Sequence, residues 1–278
     1  MPGNILDIIK YWGLFSFILI QPLFVFASDN YLAGARSLAL SHASVSFSDS
    51  WAAFHNQAGI AWVSDLTTGF YFESRFGLDE LSLAAGILIM PTGQGAFAVS
   101  LYQFGKGTFR ENKYGLAYAR QLSGRWSAGL QLDFFSQLFP ENGNSQGFAT
   151  FEGGVIFNQS EKLHLGIHVF NPVHGGFDST FGKLEMPLVI RGGGHYAFDE
   201  TVLGAFEVAK DDLNPAVIKT GIEFLPADNF ALRIGVSGKP FIYTAGFGYK
   251  AGPLSADIGF GYHGNLGITP SLSVQIEL

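Results

Sequence analysis

The sequence predicts an all-β protein, an antiparallel transmembrane β-barrel of about 14 strands with an N-terminal segment plugging the lumen. Three observations lead there. The 278 residues are 47% hydrophobic and only 14% charged, against about 25% charged in soluble domains. Beyond residue 28 no run approaches the ~18–20 apolar residues of a spanning helix. From Leu66 onward, segments of about ten alternating residues are divided by turn residues, as in strands with one face to lipid and one to a lumen. A chain that enters lipid without helices must bond every backbone polar group between strands, and a closed barrel does this.

The elements follow in order. Residues 11–27, YWGLFSFILIQPLFVFA, come after Lys10 and end in Val25-Phe26-Ala27, so 1–27 reads as a secretory signal peptide; the alternative is an uncleaved anchor. Residues 28–65 are rich in Ala and Ser, lack regular alternation, and suggest short helices at 33–43 and 50–54. Such a stretch cannot cross lipid, and the reading places it inside the barrel as a plug. The barrel domain is 66–278, with strands expected at 66–75, 80–90, 95–104, 108–122, 125–137, 146–158, 162–170, 186–198, 201–210, 216–225, 229–237, 241–250, 254–263 and 268–278. An even count puts both termini on one side, here taken as periplasmic.

Loops and faces support the count. Every other connection is tight, as in PTGQ (91–94), SG (123–124) and DE (199–200), whereas the two long ones, 139–146 and 171–185, fall among the alternate set. Trp126, Ala128, Leu130, Leu132 and Phe134 point one way and Ser127, Gly129, Gln131 and Asp133 the other. The final SLSVQIEL alternates to its last residue, as a strand must that pairs with the first to close the sheet.

Residues able to carry chemistry sort mainly onto the predicted inner face. Asp133, Arg191, Glu223, Arg233 and Asp257 are expected to pair across strands or with Arg36 and Asp49 of the plug, because an unpaired charge behind a lipid-facing wall is costly. Asn56 joins this plug and lumen network. His164 and His168 share a strand face but sit ~13 Å apart, too far for one metal; with His195 they read as hydrogen-bonding wall residues. No metal, cofactor or catalytic site is expected. GVSG (235–238) is not a nucleophile elbow, and 175–184 has neither the glycine spacing nor the Ser or Thr of a phosphate loop. Net charge of −7 argues against nucleic acid as a partner, and the absence of cysteine removes thiolate chemistry. Phe177 and Phe181 on the long loop are candidates for outward contact with lipid, ligand or protein, the alternative being a self-packed lid over the barrel mouth.

GARSLALSHASVSFSDSWAAFHNQAGIA (34–61) resembles the opening of the FadL/PorV/PorQ superfamily of outer-membrane proteins. Gly34, Ala35, Arg36, Ser48-Asp49, Asn56, Ala58 and Gly59 match; Gln57 stands where the family has proline, and Ser41-His42 replaces its glycines. The likeness extends to NPVHGG (171–176), 239–263 and 266–278 and looks nearest to the compact PorV/PorQ branch. It implies a plugged fourteen-stranded barrel in the bacterial outer membrane, bathed in lipid. The first functional expectation is an accessory subunit that binds larger outer-membrane proteins or secreted cargo, as in type IX secretion. The second is FadL-like passive transport of hydrophobic small molecules, with Phe135, Phe148 and Ile156 leaning inward and PVHGG the candidate wall gap. Neither is an enzyme.

Overall fold

The computed structural model describes residues 30–107, 109–138, 145–179, 182–238 and 240–278; the expected signal segment 1–27 lies outside them. Fourteen strands close into one antiparallel barrel. They are β1 (Thr67–Ser74), β2 (Ser82–Thr92), β3 (Gly95–Phe104), β4 (Arg110–Gln121), β5 (Trp126–Leu138), β6 (Ser145–Asn158), β7 (Leu163–Phe170), β10 (Val189–Ala197), β11 (Val202–Asp211), β12 (Val217–Ala227), β13 (Phe230–Ser237), β14 (Ile242–Ala251), β15 (Leu254–His263) and β16 (Gly267–Glu277). Between β7 and β10 the long loop adds a separate hairpin, β8 (Gly176–Ser179) with β9 (Gly182–Glu185).

Closure follows from the terminal alternation. β16 pairs with β1 from Thr67↔Glu277 to Glu73↔Ser271, and the Leu278 N–H donates to the Leu66 carbonyl at 2.8 Å. The barrel sheet therefore has no open edge to recruit another strand. Ser271 and Ser273 turn inward and are buried, while Leu272 and Ile276 are exposed on the outside. The same sorting runs round the barrel, with Phe70, Leu88, Leu101, Leu132, Ile167, Ile222 and Ile234 among the exposed outer side chains.

PVHGG (172–176) lies beyond the end of the ladder between β7 and β10. β7 and β10 pair without interruption from Leu163↔Tyr196 to Phe170↔Val189. The turn beyond them is organised by Asn171, whose left-handed backbone (φ 51°) is one that asparagine tolerates. Its side chain accepts from the Gly175 N–H at 2.8 Å and donates to the Met186 carbonyl at 2.6 Å. A register shift does occur between Phe224 and Ala227 on β12, where Pro226 has no N–H to give the ladder.

The tightly packed core lies inside the barrel, and residues 30–65 supply much of it. This segment forms a helix at Ala35–Ala39, a second at Ala52–His55 and a 3₁₀ turn at Gln57–Trp62. The first helix is shorter than its sequence suggests because Ser41 and His42 both take left-handed backbone (φ 54° and 58°). The Ser41 and His42 N–H groups then close the end onto the Leu38 and Ser37 carbonyls at 2.9 and 2.7 Å. Leu40, Ala52, Phe54, Ala58 and Ile60 are buried against the wall. Two inner-face glycines allow that approach: a Cβ on Gly129 would stand 2.4 Å from the Gln57 carbonyl carbon, and one on Gly166 2.3 Å from the Val45 carbonyl oxygen.

Candidate functional site: the occupied lumen

The segment meets the wall through two charged clusters and one aromatic cluster. The first lies towards the short-turn end. Arg36 donates from Nε and Nη2 to Glu223 at 2.9 and 2.7 Å and from Nη1 to Asp49 at 3.0 Å. Arg233, on the strand beside β12, donates to the same Glu223 at 2.5 Å and to Asp257 at 2.6 Å. Two guanidinium groups thus clamp one carboxylate, in a geometry that only planar forked donors provide.

The second cluster lies in mid-lumen and is buried except at Lys219. Lys113 Nζ lies 2.5 Å from Glu152 and 3.4 Å from Asp133, and Gln131 donates to both carboxylates at 2.7 and 2.8 Å. His168 touches Glu152 and Gln57, each at 3.1 Å. Arg191 bonds to the His55 carbonyl and stands 3.1 Å from His168 Nδ1. Glu207 accepts the Ser44 and Val45 N–H groups at 3.1 and 2.9 Å and pairs with Lys219 at 2.9 Å. Asn56 completes the fixation, donating to the Val45 carbonyl at 2.7 Å while its oxygen accepts the Ala58 N–H at 3.2 Å. Burial, reinforced by Arg191, pushes the His55 imidazole down to about 4, so it is neutral at pH 7.

The aromatic cluster fills the side of the lumen bounded by β3–β7, towards the long-loop end. Phe135 stacks on Phe148 with centroids 5.1 Å apart and meets Phe170 edge-on at 6.0 Å. Tyr31 stacks on Phe104 at 4.2 Å and lies edge-on to Tyr102 at 5.4 Å. Lys113 joins the two kinds of cluster, its ammonium 5.7 and 5.6 Å from the Phe135 and Phe170 rings.

Two cavities of mixed lining flank the first helix. One of about 220 Å³ opens near the long-loop end and touches Leu38, His42, Glu73, Arg75, Phe76 and His263. The other, about 230 Å³, lies near the short turns among Arg36, Asp49, Glu223, Arg233 and Asp257. The larger apolar hollow of about 1080 Å³ lies on the outer wall over β10–β14, floored by Gly192, Gly194 and Gly204.

Of the residues singled out in the sequence, Arg36, Asp49, Glu223, Arg233 and Asp257 form the first cluster, and Asn56, Asp133, His168 and Arg191 meet at the second. His195 stands apart, hydrogen-bonded to Ser46 at 2.9 Å and stacked 4.6 Å from His164 near a strand end. Among the described residues no group of three or more His, Asp and Glu is placed to hold a metal. Phe177 turns inward rather than outward: it is 1% exposed and meets Phe148 edge-on at 4.8 Å, because the β8–β9 hairpin folds back over the aromatic cluster. Phe181 lies outside the described residues. Sequence reasoning did not single out Lys113, Glu111 or Glu207. The alternation of 110–121, with Glu111 and Lys113 in phase with Gly115, Ala117 and Ala119, carried the signal for the first two.

No family model matches the chain, and no curated protein matches it in sequence. Solved structures do match in fold. The toluene transporter TbuX of Ralstonia pickettii superposes with a TM-score of 0.71 at 10% identity, covering 92% of this chain and 100% of that one. The CymD monoaromatic hydrocarbon channel gives 0.70 at 14% identity, covering 90% and 99%. A Pseudomonas aeruginosa FadL homologue gives 0.64 at 14%, covering 88% and 98%. These likenesses run along nearly the whole of each chain and fall on the FadL-type side of the expected resemblance, with no PorV or PorQ protein among the matches named. The chain has the closed fourteen-stranded antiparallel fold of FadL-type outer-membrane barrels.

Proposed function

We propose that the protein is a passive conduit for small hydrophobic molecules across the outer membrane, with single-ring aromatics as the preferred cargo. The observation that carries this reading is the aromatic filling of one side of the lumen: Tyr102, Phe104, Phe135, Phe148 and Phe170 face inward where an open porin would present polar side chains to water. The fold neighbours named as hydrocarbon channels support it. The outward apolar belt supports a setting in outer-membrane lipid, with both termini and the short turns on the periplasmic side. In this account residues 28–65 are a plug domain, and the Arg36 and Arg191 contacts hold it shut until cargo arrives.

The accessory-subunit reading ranks second, because the named fold neighbours are channels and the long-loop aromatic Phe177, offered as a partner contact, is buried. Cells carrying the protein should take up labelled toluene several-fold faster than cells lacking it, with glucose uptake unchanged. Equal toluene rates would remove the conduit reading and return the accessory role to first place.

A further inference from the structure

We infer that the hollow on the outer wall over β10–β14 seats the acyl chains of one lipid A unit of lipopolysaccharide, and that Lys210 at its upper end takes a phosphate of the same molecule. The site faces the membrane and is independent of what the lumen carries.

Two compartments make up the groove. The larger, about 1080 Å³, is the apolar hollow floored by Gly192, Gly194 and Gly204. The smaller, about 770 Å³, reaches from Ile218 to Asn214 and Pro215 on one outer loop and to Phe241 beside another. They share Thr220 and Val236, so one groove runs up the wall to the long-loop end. The wall beneath it is sealed: Gly192↔Val208, Phe206↔Thr220, Ile222↔Ile234 and Val236↔Tyr243 are ladder partners. The groove is a seat on the barrel, not a way through it.

Missing side chains shape the seat. Glycine weakens a strand and gives its neighbours nothing to pack against, yet three outward positions on the adjacent strands β10 and β11 are glycine. Leu165 leans over Gly194 and Phe198 over Gly204, within 2.8 and 3.0 Å of where a Cβ would stand. Over Gly192 nothing comes within 4 Å. Ile222, Ile234 and Tyr243, all exposed, bound the hollow on the side of β12–β14. An empty recess in an apolar belt forfeits dispersion contacts, and water finds few polar partners there. Membrane hydrocarbon fills it, and a chain lying in a recess touches more protein than one on the flat wall.

Three features select lipid A over a phospholipid. The groove reaches the rim at the long-loop end, the outer-leaflet side in the orientation proposed above. It crosses the outer faces of five neighbouring strands, ~19 Å at the usual spacing, which is room for several chains abreast where a phospholipid brings two. A cation stands at its upper end. Lys210 Nζ donates to the carbonyls of Asp211 and Asn214, the second at 2.6 Å, and both residues line the smaller compartment. The Asp211 carboxylate is turned to the Leu213 and Asn214 N–H groups, which leaves the ammonium for an incoming phosphate.

The test purifies the full mature chain in mild detergent from a lipopolysaccharide-bearing outer membrane and counts retained lipid by native mass spectrometry. One lipopolysaccharide per barrel is expected. Gly192→Leu, whose new side chain enters open space and leaves the fold intact, should retain at least fivefold less. Gly86→Leu, an outward position on β2 away from the groove, should retain as much as the unaltered protein. Lys210→Gln should lose severalfold, and Lys210→Arg should keep the lipid. Absence of bound lipopolysaccharide, a phospholipid retained in its place, equal retention by Gly192→Leu and Gly86→Leu, or no effect of Lys210→Gln would overturn the inference.

Discussion

Lys113→Met should lower the stability of the folded barrel by about 3–5 kcal/mol, the range for breaking a buried ion pair from one side. Lys113 is the ammonium within reach of both Glu152 and Asp133, at 2.5 and 3.4 Å, and all three side chains are 0% exposed. Methionine keeps the length and the contact with Phe135 and Phe170 but strands two carboxylates. Gln131 already spends its amide donor on them and cannot replace the charge. Adding Asp133→Asn and Glu152→Gln should recover most of the loss, because the burden is the unpaired charge rather than the missing side chain. Urea unfolding in detergent, followed by tryptophan fluorescence, reads both effects. A single variant with an unchanged midpoint would show that the mid-lumen cluster is not closed to water.

Gly129→Leu should open the lumen without breaking the barrel. The inner face of β5 passes so close to the 3₁₀ turn that a Cβ on Gly129 would lie 2.4 Å from the Gln57 carbonyl carbon and 2.6 Å from the Ala58 nitrogen. The strand is locked on both sides by long ladders to β4 and β6, so the turn must move and the wall stays. Moving it pulls Gln57 from His168 and Asn56 from the Val45 carbonyl. Steady ion conductance in planar bilayers is expected for the variant, at least tenfold above the unaltered protein. Conductance equal to the unaltered protein, in a correctly folded variant, would mean that residues 30–65 are not the barrier.

The barrel was legible because alternation repeats fourteen times. A single ten-residue stretch such as 95–104 says little alone, but its phase, its turns and the sorting of long against short connections are tested again at every strand. All fourteen expected strands overlap observed ones, with ends moved by a few residues. The β8–β9 hairpin was not legible, since four-residue strands carry too few alternations to stand out from a loop.

The lumen was legible in part. Arg36 and Asp49 could be assigned partners because charge behind a lipid-facing wall demands neutralisation. Which acid each base takes depends on shear between strands far apart in sequence. Two departures from the superfamily pattern become intelligible in three dimensions. Ser41 and His42, where the resemblance has glycines, occupy left-handed backbone that glycine enters without strain. Gln57, where it has proline, uses its side chain to meet His168 at 3.1 Å and the Ala53 carbonyl at 3.2 Å.

The most direct measurement is toluene influx into outer-membrane vesicles whose lipopolysaccharide leaflet slows toluene by itself, comparing vesicles that carry the protein with vesicles that lack it, and toluene with a polar solute of similar size. The account predicts saturable, protein-dependent toluene influx with no matching flux of the polar solute, and loss of that selectivity in Gly129→Leu. Toluene influx indistinguishable from vesicles that lack the protein, in barrels shown to be folded, would contradict it.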